Sequence, residues 1–182
     1  LEAHLPAFNE AFNDIGIEWK WDTNTYIDLL RINGGKNRIA YYSKLTNHPL
    51  SDDLIIKIHQ KKQLSYLKII KKNLIKPKTG VIRLINELHR KKIRQFIVTS
   101  SSRNQVDLLV EYLFNGFNPF EFIISSEDVE FKKPNPLPYL KAIQISGIKK
   151  NNSIVFEDSN PGLKSSIAAN LPTIYIPSNI PI

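Results

Sequence analysis

Four short apolar runs alternate with segments of helical periodicity in the second half of the chain, from Pro77 onward. Continuous apolar runs are typical of strands buried on both faces, and parallel strands need a helical crossover between them. We therefore predict a doubly wound parallel α/β sheet, because right-handed crossovers place helices on both of its faces. The predicted strands are 95–98, 121–124, 153–156 and 173–176, and the predicted helices cover about 80–91, 103–114, 137–146 and 161–169.

The first half of the chain has no strand pattern and is predicted to be helical. Apolar residues recur there at helical spacing, for example between Leu5 and Ile15. Ser51 is placed to cap a long helix that carries an apolar stripe. We therefore predict two domains: residues 1–75, whose four helices pack as a small bundle, and residues 76–182, which form the α/β domain.

Composition excludes several classes of chemistry. The chain has no cysteine, so thiolate catalysis, disulfide bonds and thiolate-bound zinc are excluded. Its 25 Lys and Arg outnumber 17 Asp and Glu, but aromatic residues do not interleave with them, so we expect no nucleic-acid partner. No apolar run is long enough to span a membrane, and we expect a cytoplasmic protein without a membrane partner. Several lysines are interpreted as a solvated helix face: Lys57, Lys61, Lys62, Lys68, Lys71 and Lys72.

The residues that follow the predicted strands carry the candidate chemistry, because ligands gather at the carboxyl ends of parallel strands. After the first predicted strand come Thr99, Ser100, Ser101, Ser102 and Arg103, at the start of a helix. Their hydroxyls, the free backbone N–H groups and the positive end of the helix dipole suit a phosphate group. The alternative is that these serines are ordinary helix caps.

Two adjacent carboxylates, Glu157 and Asp158, follow the third predicted strand. Neighbouring carboxylates raise each other's proton affinity unless a cation lies beside them, and Mg²⁺ needs only one or two protein carboxylates. The alternative is an acidic helix start that complements the helix dipole. Lys133 precedes Pro134 in a loop before another helix, where it can balance charge during phosphoryl transfer. The alternative for Lys133 is a solvent-exposed lysine.

Taken together, these three segments match conserved motifs of one enzyme superfamily in order and spacing. Ser100, Lys133 and the pair Glu157 and Asp158 resemble the second, third and fourth motifs of the haloacid dehalogenase (HAD) superfamily. The resemblance covers essentially the whole chain. It implies that residues 1–75 form the helical cap, with residues 1–4 at the exit of the nucleophile loop, and that residues 76–182 form the core.

A second set of residues narrows the resemblance. Trp21 with Asp22 and the segment 33–39 resemble the cap signature of the CbbY-like xylulose-1,5-bisphosphate phosphatases. His4 with the residues after it resembles the segment that leads out of the nucleophile loop. This resemblance implies Mg²⁺-dependent hydrolysis of a sugar bisphosphate through an aspartyl-phosphate. It also implies a repair role in the Calvin cycle, since xylulose-1,5-bisphosphate is a misfire product and inhibitor of Rubisco. We expect a monomer. The alternatives are a β-phosphoglucomutase-like phosphomutase and a non-catalytic HAD-like binding protein.

The resemblance implies a role for each candidate site residue. Ser100 and Lys133 are expected to be catalytic, and Glu157 and Asp158 to bind Mg²⁺. The residues expected to bind substrate, several of them around a distal phosphate, are His4, Gly35, Lys36, Arg38, Lys62, Ser101 and Arg103. The alternatives are that His4 is structural and that Lys62 is a solvated helix lysine.

The sequence departs from the family pattern in two places. Leu137 stands where the third motif usually has an acidic residue, which puts the hydrogen bonds of that acid in doubt. The two aspartates of the first motif match no residue of this sequence, so we expect them N-terminal to residue 1. We also expect a strand from that segment between the strands that end near Ser100 and Glu157, because both strands would otherwise present bare edges. Residues 1–182 alone are expected to be inactive and to bind Mg²⁺ weakly.

Overall fold

The computed structural model describes residues 3–32, 34–72 and 77–177. The chain divides into two compact units, and the boundary lies between residues 76 and 77. Residues 1 and 2, at the predicted exit of the nucleophile loop, and residue 33, in the predicted cap signature, lie outside the described residues, as do residues 75 and 76 at the predicted domain boundary. No helix in the described ranges is long and apolar enough to cross a membrane.

The first unit is helical, as predicted. Its helices are α1 (His4–Ile15), α2 (Thr23–Leu30), α3 (Gly35–Leu45) and α4 (Asp52–Lys71). Helix α1 packs along α4, and α3 packs on α4 as well. The core of this unit is aromatic: Phe8, Phe12, Trp21 and Tyr26 are buried and their rings contact one another. The candidate residues His4, Arg38 and Lys62 therefore lie on three helices of one packed unit.

Side-chain hydrogen bonds fix the start of α4 and the loop before α2. The hydroxyl of Ser51 accepts a hydrogen bond from the backbone N–H of Leu54 at 3.3 Å, which confirms the predicted cap of α4. Asn9 binds both the N–H and the carbonyl oxygen of Trp21, at 2.9 and 2.8 Å. This side chain on α1 therefore holds the loop that leads into α2.

The second unit alternates helices with strands, as predicted. Its main elements are α5 (Val81–Arg90), β1 (Phe96–Val98), α6 (Arg103–Phe114), β2 (Phe122–Ile124), α7 (Leu137–Ser146), β3 (Val155–Glu157), α8 (Asn160–Ala168) and β4 (Thr173–Tyr175). A single 3₁₀ turn over Lys150–Asn152 precedes β3. Buried apolar residues from α6 and β2 form one core cluster, and residues from α7 and the segment after α8 form another.

The strands pair in parallel. β1 pairs with β2, with Phe96 opposite Phe122, and β3 pairs with β4, with Glu157 opposite Tyr175. Within the described ranges no ladder joins β1 to β3, so the strands form two sheets of two strands each. The predicted intervening strand, which would join the two sheets, stays a prediction.

Candidate active site

Lys133 connects the carboxyl ends of β1 and β3. Its ammonium donates hydrogen bonds to the carbonyl oxygen of Val98 at 2.8 Å and to the hydroxyl of Tyr139 at 3.1 Å. It also forms an ion pair with the carboxylate of Glu157, and only 8% of the Lys133 side chain is exposed. An ammonium has three N–H donors, so all the donors of Lys133 are in use. The predicted solvent-exposed alternative for Lys133 is therefore wrong.

Glu157, the last residue of β3, is enclosed by polar partners. Its side chain is only 6% exposed, and besides Lys133 it accepts hydrogen bonds from the hydroxyls of Tyr139 and Ser159. Gly162 lies directly against the carboxylate, where a Cβ atom would overlap the carboxylate oxygens. Burial alone would raise the pKa of Glu157, but the charge of Lys133 and the three hydrogen bonds outweigh it and lower that pKa.

Tyr139, which the sequence did not single out, completes this cluster. It lies in the first turn of α7 and is buried, with its hydroxyl donating to Glu157 and accepting from Lys133. The ammonium of Lys133 lies 4.8 Å from the centre of the tyrosine ring. Burial, followed by the bond to the charged Glu157, raises the pKa of Tyr139, so its hydroxyl is a proton donor. No local sequence pattern marks Tyr139, because its contacts with Lys133 and Glu157 depend on the packing of α7 beside β1.

Asp158 has the opposite environment to its neighbour. Its side chain is 62% exposed and forms one ion pair, with the ammonium of Lys78 at 3.6 Å. The described residues contain no group of three or more His, Cys, Asp or Glu that could hold a metal ion. Mg²⁺ takes one or two carboxylates and completes its shell with water and phosphate oxygens. These two carboxylates therefore suit Mg²⁺. The exposed carboxylate of Asp158 can contact the ion directly, whereas the carboxylate of Glu157 is already bonded to Lys133 and Tyr139.

At the start of α6, backbone N–H groups that were expected to be free already have hydrogen-bond partners in the protein. Ser100 is exposed at the end of β1, and the N–H of Ser101 binds the hydroxyl of Thr99 at 3.1 Å. The N–H of Arg103, which was expected to be free for a phosphate, donates to the carboxylate of Glu127 at 2.7 Å. The prediction of free N–H groups at this helix start is wrong for Arg103, because Glu127 caps the helix from the loop after β2.

The guanidinium of Arg103 is also engaged within the second unit. It donates to the carbonyl oxygen of Ile123 at 2.8 Å and pairs with Asp107 and Asp128 at 3.5 and 3.6 Å. These contacts join α6 to the end of β2. A substrate contact by Arg103 stays a prediction, and it requires the guanidinium to exchange one of these partners.

Asn135 lies two residues before Leu137, which stands where the third motif usually has an acid. Its side-chain oxygen accepts the N–H of Leu137 at 2.9 Å, and its backbone carbonyl accepts the hydroxyl of Ser165 at 2.6 Å. Asn135 therefore holds the turn that leads into α7 and ties this loop to α8.

The helical unit contains a second cluster, centred on Lys62. Only 5% of Lys62 is exposed, so the prediction of a solvated lysine is wrong at this position. Its ammonium donates to the Nδ1 atom of His4 at 3.0 Å and lies over the rings of Phe8 and Tyr66, at 5.3 and 5.0 Å. The ring of His4 stacks on Tyr66 with 4.3 Å between centroids. The apolar face of α4 carries a cation because aromatic faces and an imidazole surround it.

Burial lowers the pKa of two residues in this cluster, Lys62 and His4. It lowers the pKa of Lys62 to about 8, and the positive charge of Arg38 adds to this effect. Burial and the nearby Lys62 hold the pKa of His4 well below its usual value of 6.5, so His4 is neutral and its Nδ1 accepts a proton donor. In the part of the chain that the structure describes, no carboxylate forms an ion pair with Lys62 or Arg38. The cluster therefore carries uncompensated positive charge.

The segment around Gly35 shapes the other side of this cluster. The Nε of Arg38 donates to the carbonyl oxygen of Leu29 at 3.0 Å, and its guanidinium lies 5.9 Å from the ring centre of Tyr26. A Cβ atom on Gly35 would lie 2.7 Å from the ring of His59 on α4, so a larger residue here would require that ring to shift. Lys36, in contrast, is exposed in the first turn of α3. The structure thus groups His4, Arg38 and Lys62, with Lys36 at the surface.

The fold is that of one hydrolase family. Residues 2–176 match the family model of haloacid dehalogenase-like hydrolases, and the chain belongs to this family. The predicted HAD-like α/β fold is confirmed.

Within this family the chain is similar to the CbbY proteins, as its cap segment predicted. The protein CbbY of Rhodobacter capsulatus is 36% identical over 179 residues, which cover 97% of this chain and 79% of the relative. The crystal structure of CbbY from Rhodobacter sphaeroides in complex with phosphate has a TM-score of 0.86, with 31% identity over 97% of this chain and 80% of that chain. A mutant of that protein in complex with xylulose-(1,5)bisphosphate has a TM-score of 0.87, with the same identity and coverage.

Proposed function

We propose that this protein is a Mg²⁺-dependent phosphatase that releases phosphate from xylulose-1,5-bisphosphate. One observation carries the proposal: the buried Lys133 connects the carboxyl ends of β1 and β3, beside two adjacent carboxylates. A lysine at this place supplies positive charge where phosphoryl oxygens gain negative charge. The likeness to CbbY, which extends over 97% of the chain, supports the choice of reaction and substrate.

Each strand-end residue has a distinct role in this proposal. Lys133 neutralises an oxygen of the transferring phosphoryl group, and Ser100 donates its hydroxyl to another. Asp158, with Glu157 beside it, holds Mg²⁺, which supplies further neutralising charge when bound. The reaction proceeds through an aspartyl-phosphate on an aspartate beside these strand ends. Our expectation that this aspartate precedes residue 1 stays a prediction.

The second phosphate of the substrate is assigned to the cluster in the helical unit. Lys62 and Arg38 are buried or half-buried cations without carboxylate partners, and an anion would remove the electrostatic cost of burying them. Lys36 adds an exposed cation in the first turn of α3. A contact of Gly35 with the substrate stays a prediction, because the ring of His59 fills the space beside its Cα atom. His4 holds Lys62 in place through its Nδ1 atom. A bisphosphate therefore matches the charge of this unit better than a monophosphate.

The experiment is a phosphate-release assay on the full-length protein. We expect release from xylulose-1,5-bisphosphate with Mg²⁺ and loss of release with a chelator. The same protein is then given β-glucose 1-phosphate, and both free phosphate and glucose 6-phosphate are measured. Conversion to glucose 6-phosphate without phosphate release would favour the phosphomutase. Substrate binding without either reaction would favour the binding protein.

A calorimetric comparison tests the expectation about the nucleophile segment. Full-length protein should bind Mg²⁺ at least about tenfold more tightly than residues 1–182 alone, which corresponds to about 1.4 kcal/mol. Equal affinity would remove the argument that a further carboxylate shares the site. The cytoplasmic location, the monomeric state and the lack of a nucleic-acid partner also stay predictions.

A further inference from the structure

We propose that Tyr139 is a positioning residue for the reaction, acting through Glu157; this inference rests on the proposed function. Tyr139, Lys133 and Glu157 form a closed triangle, in which each side chain contacts the other two. All three side chains are almost entirely buried. The hydroxyl of Tyr139 therefore determines where the Glu157 carboxylate lies without itself reaching the solvent.

The need for this hydroxyl follows from the donors of Lys133. All three N–H groups are committed to Val98, Tyr139 and Glu157, so contact with a phosphoryl oxygen requires Lys133 to release one partner. When Lys133 turns from Glu157 toward the phosphate, the carboxylate loses its main counter-charge. The Tyr139 hydroxyl remains bonded to Glu157 and keeps it at the end of β3, next to Asp158.

The chemistry of the tyrosine separates this role from simple packing. A phenylalanine would keep the buried ring and its 4.8 Å contact with the Lys133 ammonium. It would lose only the hydroxyl, which donates a hydrogen bond to Glu157 and accepts one from Lys133. Tyr139→Phe therefore removes the two polar contacts and leaves the shape of the core.

The test is Tyr139→Phe in the full-length protein, with Mg²⁺ alone as the calorimetric probe. We expect Mg²⁺ affinity to fall about tenfold, the usual effect of removing an outer partner of a metal site, because Tyr139 holds Glu157 beside Asp158. We also expect kcat to fall while KM for the bisphosphate hardly changes, since Tyr139 does not contact the second phosphate. Tyr175→Phe is the matched control, because Tyr175 lies on β4 with 38% of its surface exposed. The control should match wild type in all measurements.

A double-mutant cycle with Glu157→Gln separates positioning from general stabilisation. If Tyr139 acts through Glu157, Tyr139→Phe should change Mg²⁺ affinity far less in the Glu157→Gln background than in wild type. An equal loss in both backgrounds, or unchanged or tighter Mg²⁺ binding by Tyr139→Phe alone, would overturn the inference and leave the proposed function intact. A wild-type protein that neither binds Mg²⁺ nor releases phosphate would overturn the proposed function, and this inference with it.

Discussion

Lys62 and His4 lie 58 residues apart in sequence, and the ammonium of Lys62 donates a hydrogen bond to the Nδ1 atom of His4 at 3.0 Å. The contact joins the middle of α4 to the first turn of α1. Because His4 is neutral, it stabilises the buried ammonium without neutralising it. The helical unit thus contains a buried positive charge that weakens the fold and that an anion can stabilise.

The first prediction concerns the pH dependence of stability. The pKa of Lys62 is about 8 in the folded unit against 10.5 ordinarily, so the unfolded chain binds more protons between these values. The free energy of unfolding of the helical unit should therefore rise with pH from about 8 to about 10.5, by up to about 3 kcal/mol. Lys62→Met should abolish this rise.

Urea unfolding followed by tryptophan fluorescence makes this measurement, because both tryptophans, Trp19 and Trp21, lie in the helical unit. Lys57→Met on the exposed face of the same helix is the matched control and should keep the rise. A rise of the same size in Lys62→Met would show that another group causes it.

The second prediction separates two cations of the α3 segment. Lys36→Ala should lower kcat/KM for xylulose-1,5-bisphosphate by roughly 10- to 100-fold, since a lost charge-assisted contact costs about 1.5–3 kcal/mol. It should leave the helical unit as stable as wild type, because Lys36 is exposed. Arg38→Ala should lower kcat/KM similarly and also destabilise the unit by about 1 kcal/mol, through loss of the bond to Leu29.

Steady-state kinetics and urea unfolding on both variants check this prediction. Hydrolysis of a small monophosphate serves as the internal control and should hardly change. Equal loss on the bisphosphate and the monophosphate would mean that these residues support folding rather than recognition.

The third prediction uses the close approach of Gly162 to Glu157. A Cβ atom at position 162 would overlap the carboxylate, so Gly162→Ala should displace Glu157 from Lys133 and Tyr139. We expect a lower melting temperature of the second unit, and phosphatase activity reduced by at least about tenfold. Asn160→Ala, at the exposed start of the same helix, is the control. Calorimetry measures the melting temperature. A melting temperature of Gly162→Ala equal to that of wild type would contradict the close packing of Gly162 against Glu157.

The spacing of apolar residues made the helices and strands of the second unit predictable from the sequence. The predicted bounds of α6 and α7 agree with the observed ones, and the Ser51 cap of α4 is present. The signals that define both helices, the apolar spacing and the residues at each end, lie within or beside the helix itself. Local information was therefore sufficient for them.

Long-range contacts explain what the sequence could not show. Lys62 looked like any other lysine of α4, and its burial depends on His4 and Phe8 of α1, together with Tyr66 of α4. The cap on Arg103 comes from Glu127, 24 residues later, which no local pattern indicates.

The difference in burial between Glu157 and Asp158 could not be read from the sequence. Helices cover both faces of a doubly wound parallel sheet, so the alternation of side chains along a strand does not tell which of two adjacent carboxylates is buried. Glu157, the last residue of β3, is buried, and Asp158, the residue after the strand, is exposed. The partner Tyr139 likewise became evident only once α7 was packed beside β1.

The fourth prediction tests the division of labour between the two units. Lys133→Met in the full-length protein should abolish hydrolysis of both xylulose-1,5-bisphosphate and a small monophosphate, because Lys133 contacts the transferring group in either case. Lys62→Met should lower kcat/KM for the bisphosphate by at least about tenfold, since a buried charge that pairs with the second phosphate is lost. Its monophosphate activity should stay near that of wild type, because a monophosphate has no second anion to bind.

The ratio of bisphosphate to monophosphate kcat/KM, measured for wild type and Lys62→Met under identical Mg²⁺ and pH, is the decisive measurement for the binding of the second phosphate by the helical unit. We predict that this ratio falls at least about tenfold in Lys62→Met, because only the bisphosphate uses the buried cation. An unchanged ratio would contradict the assignment of the second phosphate to the His4, Arg38 and Lys62 cluster.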